Sequence, residues 1–465
     1  MFDASSLALY YLLCEWAIRL VMIVVIPMSR PPEAARTWLL LVLFLPIPAL
    51  LAYRLLGRAR FPSWRRKRFA ATEPMRAMVA DSLAKEESRP ASIARLAERL
   101  GGFPVCGGNR IGFLTDYEAA VDALVNEIDK AVTTVHLLTY IFADDRTGQK
   151  VAEALARARN RGVEVRVMLD ALGSRAWTKR TIAMLEFRSI EARLILPVRL
   201  AALHRARGDL RNHRKLCIID GSVGFVGSQN IVDRDFRPGI VNDELVARVE
   251  GPVVSALEAV FSSDWYLETR QELAPIQIPK TQGEAALQAM PSGPDFDTPG
   301  FERLLVELVH DARERLVIVS PYLIPDEALL VALKNAVARG VSVDLIVSRI
   351  ADQRLVSLAQ RSYYDELMSA GIALHRYRDR LLHAKNVSID GRVGVIGSSN
   401  ADVRSFTLNA EISLILHDAS ANATLERIQS GYIAGSDRLG LTEWRARRRR
   451  ERLLENMARL VGPLL

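Results

Sequence analysis

Residues 213–230 read His-Arg-Lys-Leu-Cys-Ile-Ile-Asp-Gly-Ser-Val-Gly-Phe-Val-Gly-Ser-Gln-Asn, and residues 383–400 read His-Ala-Lys-Asn-Val-Ser-Ile-Asp-Gly-Arg-Val-Gly-Val-Ile-Gly-Ser-Ser-Asn. The stretches lie 170 positions apart and agree at ten of eighteen places, where ordinary residue frequencies give about one match. Duplication of one half-site, with both copies chemically intact, is the simplest account. In the first copy, Leu216–Ile219 and Val223–Val226 are apolar runs joined at Asp220–Gly221, a strong hairpin signal. His213 and Lys215 stand two residues apart on the first strand and project to one face. Gly227, Ser228 and Asn230 leave the second strand at the same open end, so imidazole, ammonium, hydroxyl and amide converge. Asp220 lies up to about 23 Å along the strand from His213, at ~3.3 Å per residue. It is expected to shape the turn.

Outward from the repeat, the pattern is α/β. A helical period over Tyr117–Lys130, an apolar run Thr134–Phe142, a helical period Gly148–Asn160 and a strand Val163–Asp170 precede the first copy. Leu316–Ile324, Asp326–Ala338 and Val341–Val347 repeat the later part of that order before the second. Two α/β lobes are expected, over 109–285 and 286–440, with 61–108 as a linker and 441–465 as a basic amphipathic segment. The chain has 465 residues, 49% hydrophobic and 25% charged, which excludes disorder and a small disulfide scaffold. Cys14, Cys106 and Cys217 lack ligand spacing and read as reduced thiols.

The net charge of +8 sits in two flanks. Arg54, Arg58, Arg60, Arg65, Arg66, Lys67 and Arg68 carry +7 without an acid, and Arg445–Arg452 carries +5, leaving −4 for the rest. A nuclease would need a basic groove with interleaved aromatics. Basic flanks on an acidic body fit an anionic membrane surface instead. Leu7–Met28 and Trp38–Leu56 are apolar runs of 22 and 19 residues, each near the ~20 residues that cross a bilayer. A transmembrane hairpin over 1–60 is expected, with Glu15 and Arg19 paired at i,i+4. Pro46 and Pro48 leave a re-entrant second segment open. Few arginines in the Ser29–Thr37 connection and many after Leu56 place the basic side, and the body with both termini, in the cytoplasm. Trp444–Leu465 sets Leu453, Met457, Leu460 and Leu464 at 3/4 spacing beside its arginines, which suits either the membrane interface or packing on the body.

Single residues have plainer readings too. His136, His204, His310, His375 and His417 read as structural or surface histidines, and Ser228 and Ser398 could merely cap a following helix.

His-x-Lys-x4-Asp-x6-Gly-Ser-x-Asn, present twice, resembles the phospholipase D superfamily. The two apolar runs, Tyr140-Ile-Phe-Ala-Asp-Asp145, Gly162-Val-Glu-Val-Arg166, Arg211-Asn-His-Arg-Lys215, Gly251-Pro-Val-Val254, Pro321-Tyr322 and Pro463-Leu-Leu465 are similar, in content and order, to bacterial cardiolipin synthases. Departures from that pattern are Ser228 in place of a second glycine, Ala410 in place of an aromatic, and Asn242-Asp243-Glu244 in place of Trp-x-Asp. They bear on acceptor preference. The resemblance implies two phospholipase D-like lobes forming one active site, at a bacterial inner membrane. It implies a multi-pass enzyme with its catalytic body facing the cytoplasm. The reaction would join two phosphatidylglycerols into cardiolipin and glycerol, with no cofactor and no metal. One histidine attacks phosphorus, His213 by analogy with two-motif relatives, and His383 serves as acid and base. Lys215 and Lys385 hold the non-bridging oxygens, Asn230 and Asn400 donate to them, and Glu244 and Glu411 fix the imidazole tautomers unless they are structural salt-bridge partners. Asp220 and Asp390 complete the motif. Expected partners are anionic phospholipids and the membrane, with no nucleic acid and room for a homo-oligomer. A phospholipase D using water or another alcohol is the nearest alternative.

Overall fold

The computed structural model describes residues 4–30, 32–57, 61–84, 91–197 and 209–460. Arg58, Arg60, His204, Leu464 and the terminal Pro463-Leu-Leu465 lie outside the described residues.

Two seven-strand units with the same strand order, read from the centre outward, form one continuous sheet. In the first, the order from the centre outward is Cys106–Leu114, Val246–Glu250, Val223–Gly227, Leu216–Ile219, Thr134–Thr139, Glu164–Asp170 and Glu191–Ile195. In the second it is Ala285–Ser292, Asn409–Leu416, Val393–Gly397, Asn386–Ile389, Arg315–Val319, Ser342–Ser348 and Ala373–Tyr377, with Ser436–Arg438 added at the edge. The units meet where Cys106–Leu114 pairs antiparallel with Ala285–Ser292. Each Asp-Gly turn closes a hairpin, and Asp220 and Asp390 take φ of 51° and 50°, the left-handed region that Asp tolerates better than most residues. Helices such as Tyr117–Lys130 and Gly300–Asp311 cover the sheet with one apolar face, as their 3.6-residue period requires.

The expected linker is instead packed structure. Helices α4 (Ser63–Ala71), α5 (Glu73–Leu83) and α6 (Ser92–Gly101) lie on the body. Phe61, Val79, Leu83 and Phe103 enter the main core, each contributing on the order of 1.5–3 kcal/mol by burial. Arg65 is buried and pairs with Glu268 at 2.6 Å. Charge and prolines made this segment look like a linker, whereas Arg65 points into the Glu268 carboxylate of the helix Val253–Thr269 and Arg68 donates to the Leu267 carbonyl of the same helix.

The N-terminal segment differs from a two-span hairpin. Helix α1 (Ala4–Ser29) holds Ala8–Ser29, among the described residues the one helix long and apolar enough to cross a membrane. Glu15 and Arg19 pair on it at 3.1 Å. The second apolar run divides into α2 (Pro32–Phe44) and α3 (Pro46–Leu56). Leu45, forced from the α region by the following proline, sits at φ −135° and ψ 67°. The chain then doubles back: the Trp38 ring meets Tyr53 edge-on at 5.1 Å, although fifteen residues of straight helix would separate them by about 22 Å. Tyr53 also reaches Ser29 at the end of α1.

Candidate active site

Three two-residue strands and the first residues of Asn409–Leu416 assemble the site by crossing between the lobes. Arg211–Asn212 pairs parallel with Asn409–Ala410, and Leu381–Leu382 pairs parallel with Asn242–Asp243. Each histidine of the repeat is thereby pinned to the opposite lobe: the His213 amide donates to the Ala410 carbonyl at 2.8 Å, and the His383 amide to the Asp243 carbonyl at 2.7 Å. One residue further along each partner strand stands a glutamate. Glu411 Oε1 lies 3.0 Å from His213 Nδ1, and Glu244 Oε1 lies 2.8 Å from His383 Nδ1. The carboxylates accept from Nδ1–H, which leaves each Nε2 with its lone pair. Sequence order pairs each glutamate with the histidine of its own half, and the fold exchanges them.

Lys215 and Lys385 curl back to the carbonyls of His213 and His383. Gly227 and Gly397 permit close backbone approach, because a Cβ there would fall 2.3 Å from the Leu245 carbonyl oxygen or 2.2 Å from that of Ile412. The serines cap no helix. Ser228 Oγ bonds the Leu245 backbone, while Ser398 Oγ donates to Glu411 at 2.5 Å and accepts from the Ile412 amide. Asn230 Oδ1 accepts from the Ile141 amide at 3.1 Å. The Asn400 amide donates to Ser405 Oγ, and Asn400 Oδ1 is buried without a partner among the described residues. Asp220 lies away from this cluster and accepts from the amides of Val132, Thr133 and Thr134. Asp390 does the same with those of Arg313, Glu314 and Arg315.

The electrostatics follow from burial. His383 is lowered to about 4, chiefly because burial disfavours the imidazolium, with Glu244 opposing; His213 is lowered for the same reason. Burial and the neighbouring ammonium bring Lys215 to about 7, and burial brings Lys385 to about 8. Each lysine feels the glutamates of both lobes, and His213 feels both lysines. Burial pushes Glu244 and Glu411 up, but histidine and lysine neighbours outweigh it and keep both carboxylates ionised. The result is two neutral imidazoles and two easily deprotonated lysines around one point, a set suited to an anionic phosphodiester.

Several supporting residues had no readable role in the sequence. Arg214 points away from its neighbours His213 and Lys215, pairs with Asp264 at 2.6 Å and donates to the Glu411 carbonyl at 3.0 Å. The alternation of side chains along a strand could have found it. Asn212 donates to the same Asp264. Asp170 accepts the Asn212 amide at 3.0 Å. Tyr140 and Tyr322 meet His213 and His383 edge-on at 4.8 and 6.5 Å, and the Tyr322 hydroxyl is held by Asp352 at 2.7 Å. Buried Asp402, raised to about 6 by desolvation, lies near Lys385 and caps the helix Val403–Thr407.

Residues 124–265 and 305–430 match the family described as cardiolipin synthase, phospholipase D-like domain. The chain is 34% identical over 457 residues to cardiolipin synthase A of Serratia proteamaculans, covering 94% of each chain. It is 34% identical over 455 residues to cardiolipin synthase A of Citrobacter koseri, again with 94% of each covered. Among solved structures, the phosphatidylserine synthase of Haemophilus influenzae superposes with a TM-score of 0.62 at 16% identity, over 81% of this chain and 100% of that one. That likeness is one of fold.

Proposed function

Because the chain belongs to the cardiolipin synthases with phospholipase D-like domains, we propose that its single site transfers a phosphatidyl group from one phosphatidylglycerol to another. The observation that carries this reading is the crossed pair of Glu–His–Lys sets in which each glutamate holds Nδ1 and leaves the Nε2 lone pair to the substrate. The donor phosphodiester sits between Lys215 and Lys385, with amide donors from Asn230 and Asn400. His213 Nε2 attacks phosphorus, the P–O bond to glycerol breaks, and His383 delivers a proton to the departing alkoxide. Negative charge on the bound phosphodiester raises the proton affinity of His383 above its value in the empty site. In the second half, His383 takes the proton from the hydroxyl of the second phosphatidylglycerol. That oxygen then displaces His213 and yields cardiolipin. A phosphodiester is consumed and one is formed, so no nucleotide is needed.

For location, α1 is the span and the α2–α3 pair is a re-entrant hairpin on the same side as the catalytic body. Arg65, Arg66, Lys67 and Arg68 directly after it make that side cytoplasmic. Anionic lipid is the expected substrate and surface, and the acidic body argues against nucleic acid. Incubating the purified protein with phosphatidylglycerol alone tests the reading. Cardiolipin plus glycerol is expected, whereas phosphatidic acid as the main product would make it a hydrolase.

A further inference from the structure

The C-terminal helix Arg449–Leu460 does two things at once. One face docks on the catalytic body: Glu455 and Ala458 are buried, Glu455 accepts from Arg447 at 2.6 Å and pairs with Arg361 at 2.9 Å, and Arg459 reaches Glu366. Trp444 at its entry packs on Tyr364. Among the described residues, nothing covers the other face. Leu453, Leu454, Met457 and Leu460 are 53–65% exposed, and their i, i+1, i+4, i+7 spacing makes one stripe. On the adjoining helix Arg354–Arg361, Leu355 is exposed too, at 45%.

Arg448, Arg449, Arg450 and Arg452 are exposed beside this stripe, and among the described residues none has a carboxylate at ion-pair distance. They cluster at the helix N-terminus, the end at which the backbone dipole disfavours cations. Local stability therefore does not explain them, whereas an external anion would. Apolar stripe and basic cluster together match a bilayer bearing anionic headgroups, with the leucines at the headgroup–acyl boundary. A soluble anionic partner would leave the leucines unmatched.

The position of the helix gives the contact a purpose. It packs on Arg354–Arg361, whose Gln360 side chain accepts from the Leu323 amide. The loop just before that helix carries Asp352, the acceptor for Tyr322 beside His383. We propose that the C-terminal helix is a second membrane contact, lying in the interface of an anionic bilayer and holding the second-lobe rim of the active site against the surface that contains its lipid. The inference rests on the lipid-processing role above, and its test reads helix depth rather than turnover.

Full-length protein carrying Cys14→Ser and Met457→Cys, labelled with an environment-sensitive fluorophore, is placed in nanodiscs of phosphatidylglycerol and phosphatidylethanolamine or of phosphatidylcholine alone. The expected result is blue-shifted emission quenched by lipids brominated high in the acyl chain, in the anionic discs. Substituting Arg448, Arg449, Arg450 and Arg452 by Gln should abolish the quenching, since the docked face of Glu455 and Ala458 is untouched. Water-like, unquenched emission in the anionic discs overturns the proposal. So does a blue shift that grows with protein concentration without acyl quenching, which would mark a second copy as the occupant. Either result leaves the phosphatidyl-transfer reading intact.

Discussion

Glu411 holds Nδ1 of His213 at 3.0 Å across the lobe boundary, 198 residues away in sequence. Glu244 does the same for His383. Neither lobe contains a complete Glu–His pair, so the two halves of the chain depend on each other for the geometry of the candidate site as well as for packing.

The crossing makes a selective prediction. Glu411→Gln removes the anion facing His213 and should lower that imidazole's pKa further while leaving His383 near its original value. Glu244→Gln should do the reverse. Histidine carbon NMR titration of each variant decides the pairing, and a Glu411→Gln shift confined to His383 would contradict it. Turnover should fall about 10²–10⁴-fold in each variant, the range expected when an imidazole loses its orienting carboxylate.

The lysines set the alkaline limit. With Lys215 at about 7 and Lys385 at about 8 in the empty site, the free enzyme loses the two cations that the proposed mechanism places on the phosphate as pH rises through that window. The alkaline limb of kcat/KM should therefore lie near 7 to 8 rather than near the ordinary lysine value. Lys215→Arg should move the limb upward even if activity is reduced, because guanidinium does not deprotonate there. An unchanged limb in this variant would assign it to another group.

Asp220 and Asp390 act on stability. Burial pushes their carboxyls up, but the backbone amides of residues 132–134 and 313–315 outweigh it and hold both below the usual value. Such groups stabilise the fold above the unfolded aspartate pKa, and the contribution is lost as pH falls through the folded value. Asp220→Asn should cost about 1–3 kcal/mol at neutral pH, with a smaller difference from the parent under acid conditions. Thermal unfolding in detergent at both pH values measures it. Folded variants as inactive as Lys215→Ala would instead place the carboxylate in the chemistry.

The attacking histidine can be caught. With an activated phosphodiester that needs little protonation of its leaving group, His383→Asn should accumulate a phosphatidyl adduct on His213, because no base activates the acceptor. His213→Asn should give none. An adduct on His383 in the second variant, seen by intact-protein mass spectrometry, would reverse the assignment.

The proposed arrangement, a single span with a re-entrant pair, would put the N-terminus across the membrane from the body. In a Cys14→Ser background, Ser6→Cys should react with an impermeant maleimide added outside intact cells. A cysteine replacing exposed Asn456 should not react until the membrane is opened. Protection of both would restore a two-span hairpin.

The repeat around His213 and His383 was legible because its chemistry is local: an Asp-Gly turn and alternating strand positions act within eighteen residues. The same locality placed Asp220 and Asp390 at the far turn, where hydrogen bonds to backbone amides now account for them. The glutamate partnership was not legible, since two equivalent half-sites offer the same residue types at the same spacing and only the strand pairings of Asn409–Ala410 and Asn242–Asp243 choose between them. The segment 61–108 was obscured by its charge, because a buried arginine such as Arg65 shows its role only once Glu268 and Asp295 surround it. The second apolar run had the length of a span, and hydropathy carries no direction. Its reversal at Leu45 depends on a proline-imposed break together with packing of Trp38 on Tyr53. Side-chain identity and short-range geometry are written along the chain, while partners brought together from distant positions are chosen by how the two lobes close on each other.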